Sequence, residues 1–144
     1  MATNSGVYPC YENQFKIKTG ASGTKVSIAD CETFSVQFDN GIEEWHPFDT
    51  QGWIRRLLTA KGITISVTAK RNLGDAGNDF VAGLAWKNGR DVEADFDWTF
   101  PDGTVVEFVG AVINVTNVGS GDSTNVAPLE FEVLSNGEPT ITEA

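Results

Sequence analysis

Hydrophobic and polar residues alternate along several stretches of the chain, as in β-strands that bury one face. The alternation is clearest over residues 33–39 and 62–70, where Phe34, Val36 and Phe38 face one way and Ser35 and Gln37 the other. Similar patterns predict further strands at residues 15–18, 25–28, 93–100, 104–118 and 126–134, the longest of them bent or broken near Gly110. A mainly antiparallel β domain therefore follows from the pattern alone.

One helix is predicted between these strands. Phe80, Val81, Leu84 and Ala85 recur at the spacing of three and four residues that places side chains on one helical face. The helix should begin at Asp75 or Gly77 and end at Trp86, just before Asn88-Gly89. The 144 residues suit one domain, with an N-terminal arm at 1–23, a long loop at 40–61 and an extended tail at 135–144.

The long loop is the most unusual segment, because a hairpin turn needs only about two to five residues. It would form either a short helix at 52–59 or a long bent hairpin, and its aromatic side chains would either cover their own core or contact another copy. Acidic and basic pairs near its opposite ends favour contact between copies, head to tail. The candidate interface residues are Asn40, Gly41, Glu43, Glu44, Trp45, Pro47, Gly52, Trp53, Arg55 and Arg56.

Composition narrows the partners and the compartment. A formal net charge of −10 disfavours a docked nucleic acid, although DNA could pass without being held. Neither a signal peptide nor an apolar run of about 20 residues is present, so no membrane partner is expected. Cys10 and Cys31 suit two free cytosolic thiols better than a disulfide.

No catalytic motif stands out, so we expect no enzyme, no cofactor and no metal. His46 is the single histidine and lies in the aromatic loop, where a structural role is favoured. The stretch 74–79 lacks the spacing of a calcium loop and reads as a helix cap. Glu93, Asp95 and Asp97 could suggest glycoside hydrolysis, but carboxylates two residues apart on a strand more often form a solvated face.

Two blocks carry a resemblance to a known family. The segments FDNGIEEWHPFDTQGWIRRLLTAKGITISVTAKRNLGDAGNDFVAG and FPDGTVVEFVGAVINVTNVGSGDSTNVAPLEFEVLSNGEPT resemble the tail tube protein, or major tail protein, of bacteriophages with long non-contractile tails. The resemblance covers about residues 34–140 and is weakest before them. It implies an antiparallel β-sandwich or partial barrel with one flanking helix, shared with contractile-tail and type VI secretion tubes.

The resemblance also implies a function and partners. Hexameric rings whose inner strands join into one continuous β-barrel would stack into a virion tail tube, assembled in the host cytoplasm. Loop 40–61 would reach the next ring, and the partners would be the tape-measure protein, the tail terminator and baseplate or distal tail proteins. DNA would pass through a polar lumen lined by Ser35, Gln37, Asp39, Thr64, Ser66, Thr68, Glu130 and Glu132, with Glu93, Asp95 and Asp97 as alternative acidic residues.

Two other interpretations remain open from sequence. A carbohydrate-binding β-sandwich could use Trp45, Trp53 and Trp98 as a sugar platform. The chain could also be the inner tube of a contractile tail or a tailocin.

Overall fold

A curved antiparallel sheet forms most of the protein, seen in a computed structural model that describes residues 6–20 and 23–143. Residues 1–5 and 21–22 of the predicted arm and residue 144 of the tail lie outside the described residues. The strands are β1 (Gln14–Lys18), β2 (Lys25–Ser27), β3 (Cys31–Phe38), β4 (Gly41–Trp45), β5 (Arg55–Ala60), β6 (Ile63–Lys70), β7 (Glu93–Thr99), β8 (Val105–Val118), β9 (Pro128–Leu134) and β10 (Thr140–Thr142). The helix α1 spans Ala76–Gly83.

The main sheet has the strand order β2-β1-β7-β8-β9-β6-β3, and β10 also pairs with β8. Strand β8 is shared by both halves, because it pairs with β7 as far as Val112 and with β9 from Val112 to Val118. Gly110 adopts a φ of 66°, which glycine tolerates, and its N–H donates to Asp95 at 2.9 Å. The predicted bend near Gly110 coincides with a register shift in the β7–β8 pairing.

The two halves of the sheet face each other across an aromatic contact. Phe34 on β3 lies 4.9 Å from Phe15 on β1 and 5.7 Å from Trp98 on β7, measured between ring centroids. The first and last strands of the order, β2 and β3, do not pair with each other. The result is the predicted antiparallel β-sandwich or partial barrel with one flanking helix.

The core follows the period-two patterns. Ile65 and Val67 on β6 and Phe131 and Val133 on β9 are buried, whereas the residues between them are partly exposed. Phe96 and Phe108 complete the centre, packed 6.4 Å apart. Strand alternation in the sequence therefore identifies the buried face correctly.

Helix α1 also agrees with the prediction. The Asp75 side chain accepts from the Asn78 N–H at 3.0 Å and from the Ala29 N–H at 3.1 Å, so it caps the helix and holds the loop before β3. A 3-10 turn, Leu84–Trp86, extends the helix, with Leu84 buried. No helix within 6–20 and 23–143 has the length and apolarity that a membrane span requires.

Asn78 is the one buried polar side chain of the described core. Its Nδ2 donates to the carbonyls of Lys70 at 2.9 Å and Ala29 at 3.2 Å. Its Oδ1 accepts from Arg71 at 2.8 Å and from the Asn72 N–H at 3.0 Å. The stretch that superficially resembles a calcium loop thus joins the helix to two strand ends.

Two of the acidic residues on β7, Asp95 and Asp97, have structural partners. Lys25 bonds Glu107 and lies 3.1 Å from Asp97, whose side chain is only 14% exposed. Partial burial lowers the pKa of Lys25, but hydrogen bonds and attraction from Glu107 and Asp97 outweigh it, so the pKa lies above its ordinary value. A solvated face is therefore wrong for Asp97, because the short strand β2 is held to the sheet through this carboxylate.

We expect Asn78→Ala to lower the free energy of unfolding by about 3 kcal/mol, because two carbonyls and the Asn72 N–H lose a buried partner. Urea denaturation of the purified protein measures this loss. Asn88→Ala is the matched control, since Asn88 is exposed and makes no side-chain cap. Equal stability of the two variants would contradict the structural role of Asn78.

Candidate self-assembly surfaces

The segment at 40–61 forms a two-stranded hairpin of β4 and β5 that is not part of the main sheet. Trp45 pairs with Arg55 and Glu44 with Arg56, and residues 46–54 form the tip. Gln51 and Gly52 take positive φ at the turn. The hairpin alternative is confirmed, and the helix at 52–59 is wrong because residues 55–60 pair as a strand.

The hairpin is apolar and exposed. Trp53 is 79% exposed and Trp45 41%, so these rings do not cover their own core. The exposed large apolar side chains of this region are Phe38, Ile42, Trp45, Phe48, Trp53, Leu57 and Leu58. Exposed large apolar side chains gathered in one segment are typical of an interaction site in a soluble protein.

The charged residues of the hairpin pair within one copy. Arg56 Nε lies 2.8 Å from Glu44 Oε2, and Arg55 lies over the Trp45 ring, 5.8 Å from its centroid. The antiparallel register places Glu44 and Arg56 opposite each other within one copy, and pairing of these charged groups between copies stays a prediction. The hairpin offers a neighbour mainly apolar contact.

The eight residues predicted for the lumen lie together on one polar face. Ser66 is opposite Ser35 and Glu132. Thr68 is opposite Glu130, Thr64 is opposite Gln37, and Thr64 Oγ1 donates to Asp39 at 2.8 Å. This face covers β3, β6, β9 and the second half of β8.

The polar face is acidic. Among β3, β6, β9 and residues 113–118 the single basic residue is Lys70, which pairs with Glu32 at 3.1 Å. Asn114 and Asn117 orient Glu132 and Glu130 by hydrogen bonds of 3.1 and 3.2 Å. Residues Glu93, Asp95 and Asp97 belong to β7, outside this group of strands, so the structure separates the two acidic sets.

Within residues 6–20 and 23–143, two strand edges beside the polar face stay unpaired, and the sequence did not identify them. Strand β3 is the last strand of the order, and residues 113–118 of β8 extend beyond the pairing with β7, which stops at Val112. The unequal lengths of the two strands could have indicated the open edge of β8, since β8 has 14 residues and β7 only 7. Exposed edges of this kind template pairing with another chain.

A groove lies between β3 and the start of β1, and the sequence did not indicate it. Its volume is about 530 Å³, and Tyr11, Phe15 and Phe34 line it with the carboxylates of Asp30 and Glu32. Cys10 and Cys31, both free thiols, also line it. The groove follows the open edge of β3, because that strand end borders it.

No protein-family model matches the sequence, and no curated protein matches it. Solved structures do match. A chain in the tail of an empty gene transfer agent particle is 17% identical with a TM-score of 0.73, over 94% of this chain and 99% of that chain. The chain has the tail tube fold. At this identity the likeness establishes the fold, as the sequence resemblance implied.

Chains of contractile injection systems share this tail tube fold. One, from the sheath–tube complex of the extracellular contractile injection system PVC, is 12% identical with a TM-score of 0.63, over 96% of this chain and 93% of that chain. Another, from the tube-terminating cap of the anti-feeding prophage, is 16% identical with a TM-score of 0.60, over 100% and 95%. The fold alone thus does not distinguish contractile from non-contractile tails.

We expect the two thiols of the groove to differ in reactivity. Burial, and then the charges of Asp30 and Asp75, raise the pKa of Cys31 to about 12, whereas Cys10 is exposed. At pH 8 iodoacetamide should modify Cys31 at least about a hundredfold more slowly than an ordinary thiol. Cys10 should therefore be modified before Cys31. Peptide masses over time measure both rates, and equal rates would contradict the burial of Cys31.

Proposed function

We propose that the protein is a structural virion protein that polymerises into stacked hexameric rings, which form a tail tube for the passage of DNA. The observation that carries this proposal is the β4–β5 hairpin, which stands apart from the main sheet with seven large apolar side chains exposed in and beside it. Within the described part of the chain, no apolar side chain covers Trp53 or Phe48. A neighbouring copy would cover them.

The hairpin is the axial contact in this proposal. It extends from the end of β3 and the start of β6, two strands that carry the polar face. If those strands run along the tube, each hairpin reaches the ring above or below. Aromatic anchors such as Trp53 carry much of the energy at interfaces of this kind.

The two open edges are the lateral contact. The strands β3, β6, β9 and β8 are successively antiparallel, so β3 and β8 at the two sides run in opposite directions. A rotated second copy therefore continues the sheet with antiparallel pairing, β8 beside β3. Repetition closes the sheet into a barrel without edges, and the C6 symmetry of the gene transfer agent tail supports six copies.

The polar face would line the lumen. Ser35, Ser66 and Thr68 present hydroxyls, and Glu130 and Glu132 add negative charge that repels phosphate. A wall of this kind lets DNA slide because its one lysine, Lys70, pairs with Glu32 and leaves no free cation to hold the backbone. The tape-measure protein before DNA entry, and the terminator and baseplate or distal tail proteins at the two ends, would be the other partners.

The inner tube of a contractile tail or tailocin is the second candidate, favoured by the likeness to the injection-system chains. A sheath gene beside the gene for this chain would decide for it. The sugar-platform interpretation loses support, because Trp98 packs 4.4 Å from Phe100 and donates to Asn13 at 3.0 Å. Trp98 is thus an internal contact rather than part of the hairpin surface.

Negative-stain microscopy and sedimentation test the proposal. The purified protein, alone and with the tail proteins encoded beside its gene, should form rings and tubes. Phe48→Ser/Trp53→Ser should form rings that fail to stack, because both side chains are exposed and needed only between rings. Ile141→Ser, which removes an exposed apolar side chain from β10, should form normal tubes. Normal tubes from the hairpin variant would contradict the axial role, and a protein that never assembles would contradict the whole proposal.

Reversing the lumen charge should affect DNA passage but not assembly. In particles that carry Glu130→Lys/Glu132→Lys, rings and tubes should form, but DNA release should slow because lysines attract phosphate. Dye fluorescence of released DNA measures the rate. Glu138→Lys is the control, an exposed site beyond β9. Unchanged release from the double variant would show that this face is not the lumen.

A further inference from the structure

The open edge of β3 and the open edge of β8 each have a distinctive neighbour. Beside β3 lies the aromatic groove, and beside β8 lies the Trp86 turn, residues 84–90, whose Trp86 is 83% exposed. We propose that Trp86 of one copy inserts into the groove of the adjacent copy in the same ring. This inference rests on the proposed function, because it needs copies arranged in a ring. This contact would fix the register of the strand pairing.

The Trp86 turn lies at the correct side of the molecule. Strand β7 begins at Glu93 opposite Val112 and runs antiparallel to β8, so the Trp86 turn enters β7 at the end of the sheet where β8 continues past Val112. Both 3-10 turns of this segment, Leu84–Trp86 and Gly89–Val92, contact β8. Buried Leu84 anchors the turn in the core while Trp86 points out of it.

Strand register places the Trp86 turn and the groove at similar positions along the direction of the strands. One row of the sheet runs through Val118, Leu129, Ala69 and Cys31, and another runs through Val115, Phe131, Val67 and Phe34. Closed barrels require a fixed stagger between neighbouring strands. If the pairing of β8 with β3 of the next copy continues these rows of paired residues within that stagger, residues 113–118 of β8 lie beside the end of β3 that borders the groove. The turn that accompanies this part of β8 then faces the groove.

Charges on the two surfaces are complementary. Lys87 and Arg90 follow Trp86, are exposed, and have no carboxylate partner within residues 6–20 and 23–143. Asp30 and Glu32 line the groove, where Asp30 also accepts from Asn72 at 2.6 Å and Glu32 also pairs with Lys70 at 3.1 Å. In a chain with 20 acidic and 10 basic residues, two free cations beside one exposed tryptophan are an uncommon combination. They would steer the turn to the acidic groove.

The groove also suits an aromatic side chain. Phe15, Phe34 and Tyr11 line it, and Tyr11 is 85% exposed, so an indole would find ring contacts on several sides. Tryptophan is enriched among interface hot spots, which lie in well-packed pockets that exclude water. In this proposal, the groove is the binding site for Trp86 of a second copy of this chain.

Cysteine cross-linking tests the contact, because native Cys10 is exposed in the groove. Trp86→Cys should form an intermolecular disulfide with Cys10 of the adjacent copy when assembled rings are oxidised with copper phenanthroline. Non-reducing gels should then show a ladder that ends at the closed ring. Adding Cys10→Ser should remove the ladder, and Ile141→Cys, on β10 away from both edges, should not produce it.

Trp86→Ala gives a second measurement. Because Trp86 is exposed, the melting temperature of the monomer should not change, but the protein concentration at which rings form should rise about tenfold or more. Rings and tubes that form normally in both variants, without a ladder, would overturn the Trp86 contact and leave the tail tube function standing. A wild-type protein that never forms rings would instead overturn the proposed function, and the contact with it.

Discussion

Backbone pairing is the constraint on which the rest of this structure depends. The sheet curls far enough for Phe34 to meet Phe15 and Trp98, but its end strands β2 and β3 do not pair. Strand β3 and the second half of β8 are left with unpaired N–H and C=O groups on one side. The open edge of β3 in one copy can pair antiparallel with the open edge of β8 in another copy. Two such edges on opposite sides of the sheet suit a protein that associates with its own copies.

The same sheet separates three chemical surfaces. One face of the strands carries the buried core around Phe96, Phe108 and Phe131. The opposite face of β3, β6 and β9 is polar and acidic, and the apolar surface outside the core is concentrated on the β4–β5 hairpin. In the proposed stack of rings, the polar face would line the lumen and the hairpin would make the axial contact.

Several features could be predicted from sequence because they depend on local periodicity. Alternation in residues 62–70 identified both the buried and the polar face of β6, and the apolar stripe near Phe80 identified α1. Other features could not. The pairing of Glu44 with Arg56 depends on the hairpin register, and the role of Asp97 depends on Lys25, which is 72 residues away. Separation of this kind leaves no local pattern.

By itself, the sequence determined the strands of the main sheet other than β10, the helix α1, the polar lumen candidates and the unusual length of the segment at 40–61, because side-chain periodicity and loop length are properties of neighbouring residues. Only the tertiary structure decided that this segment is an exposed hairpin and that β8 extends beyond its pairing with β7. It also decided that Tyr11, Phe15 and Phe34 line a groove. These features arise where strands distant in sequence begin and end relative to each other. That alignment is set by packing of the whole sheet.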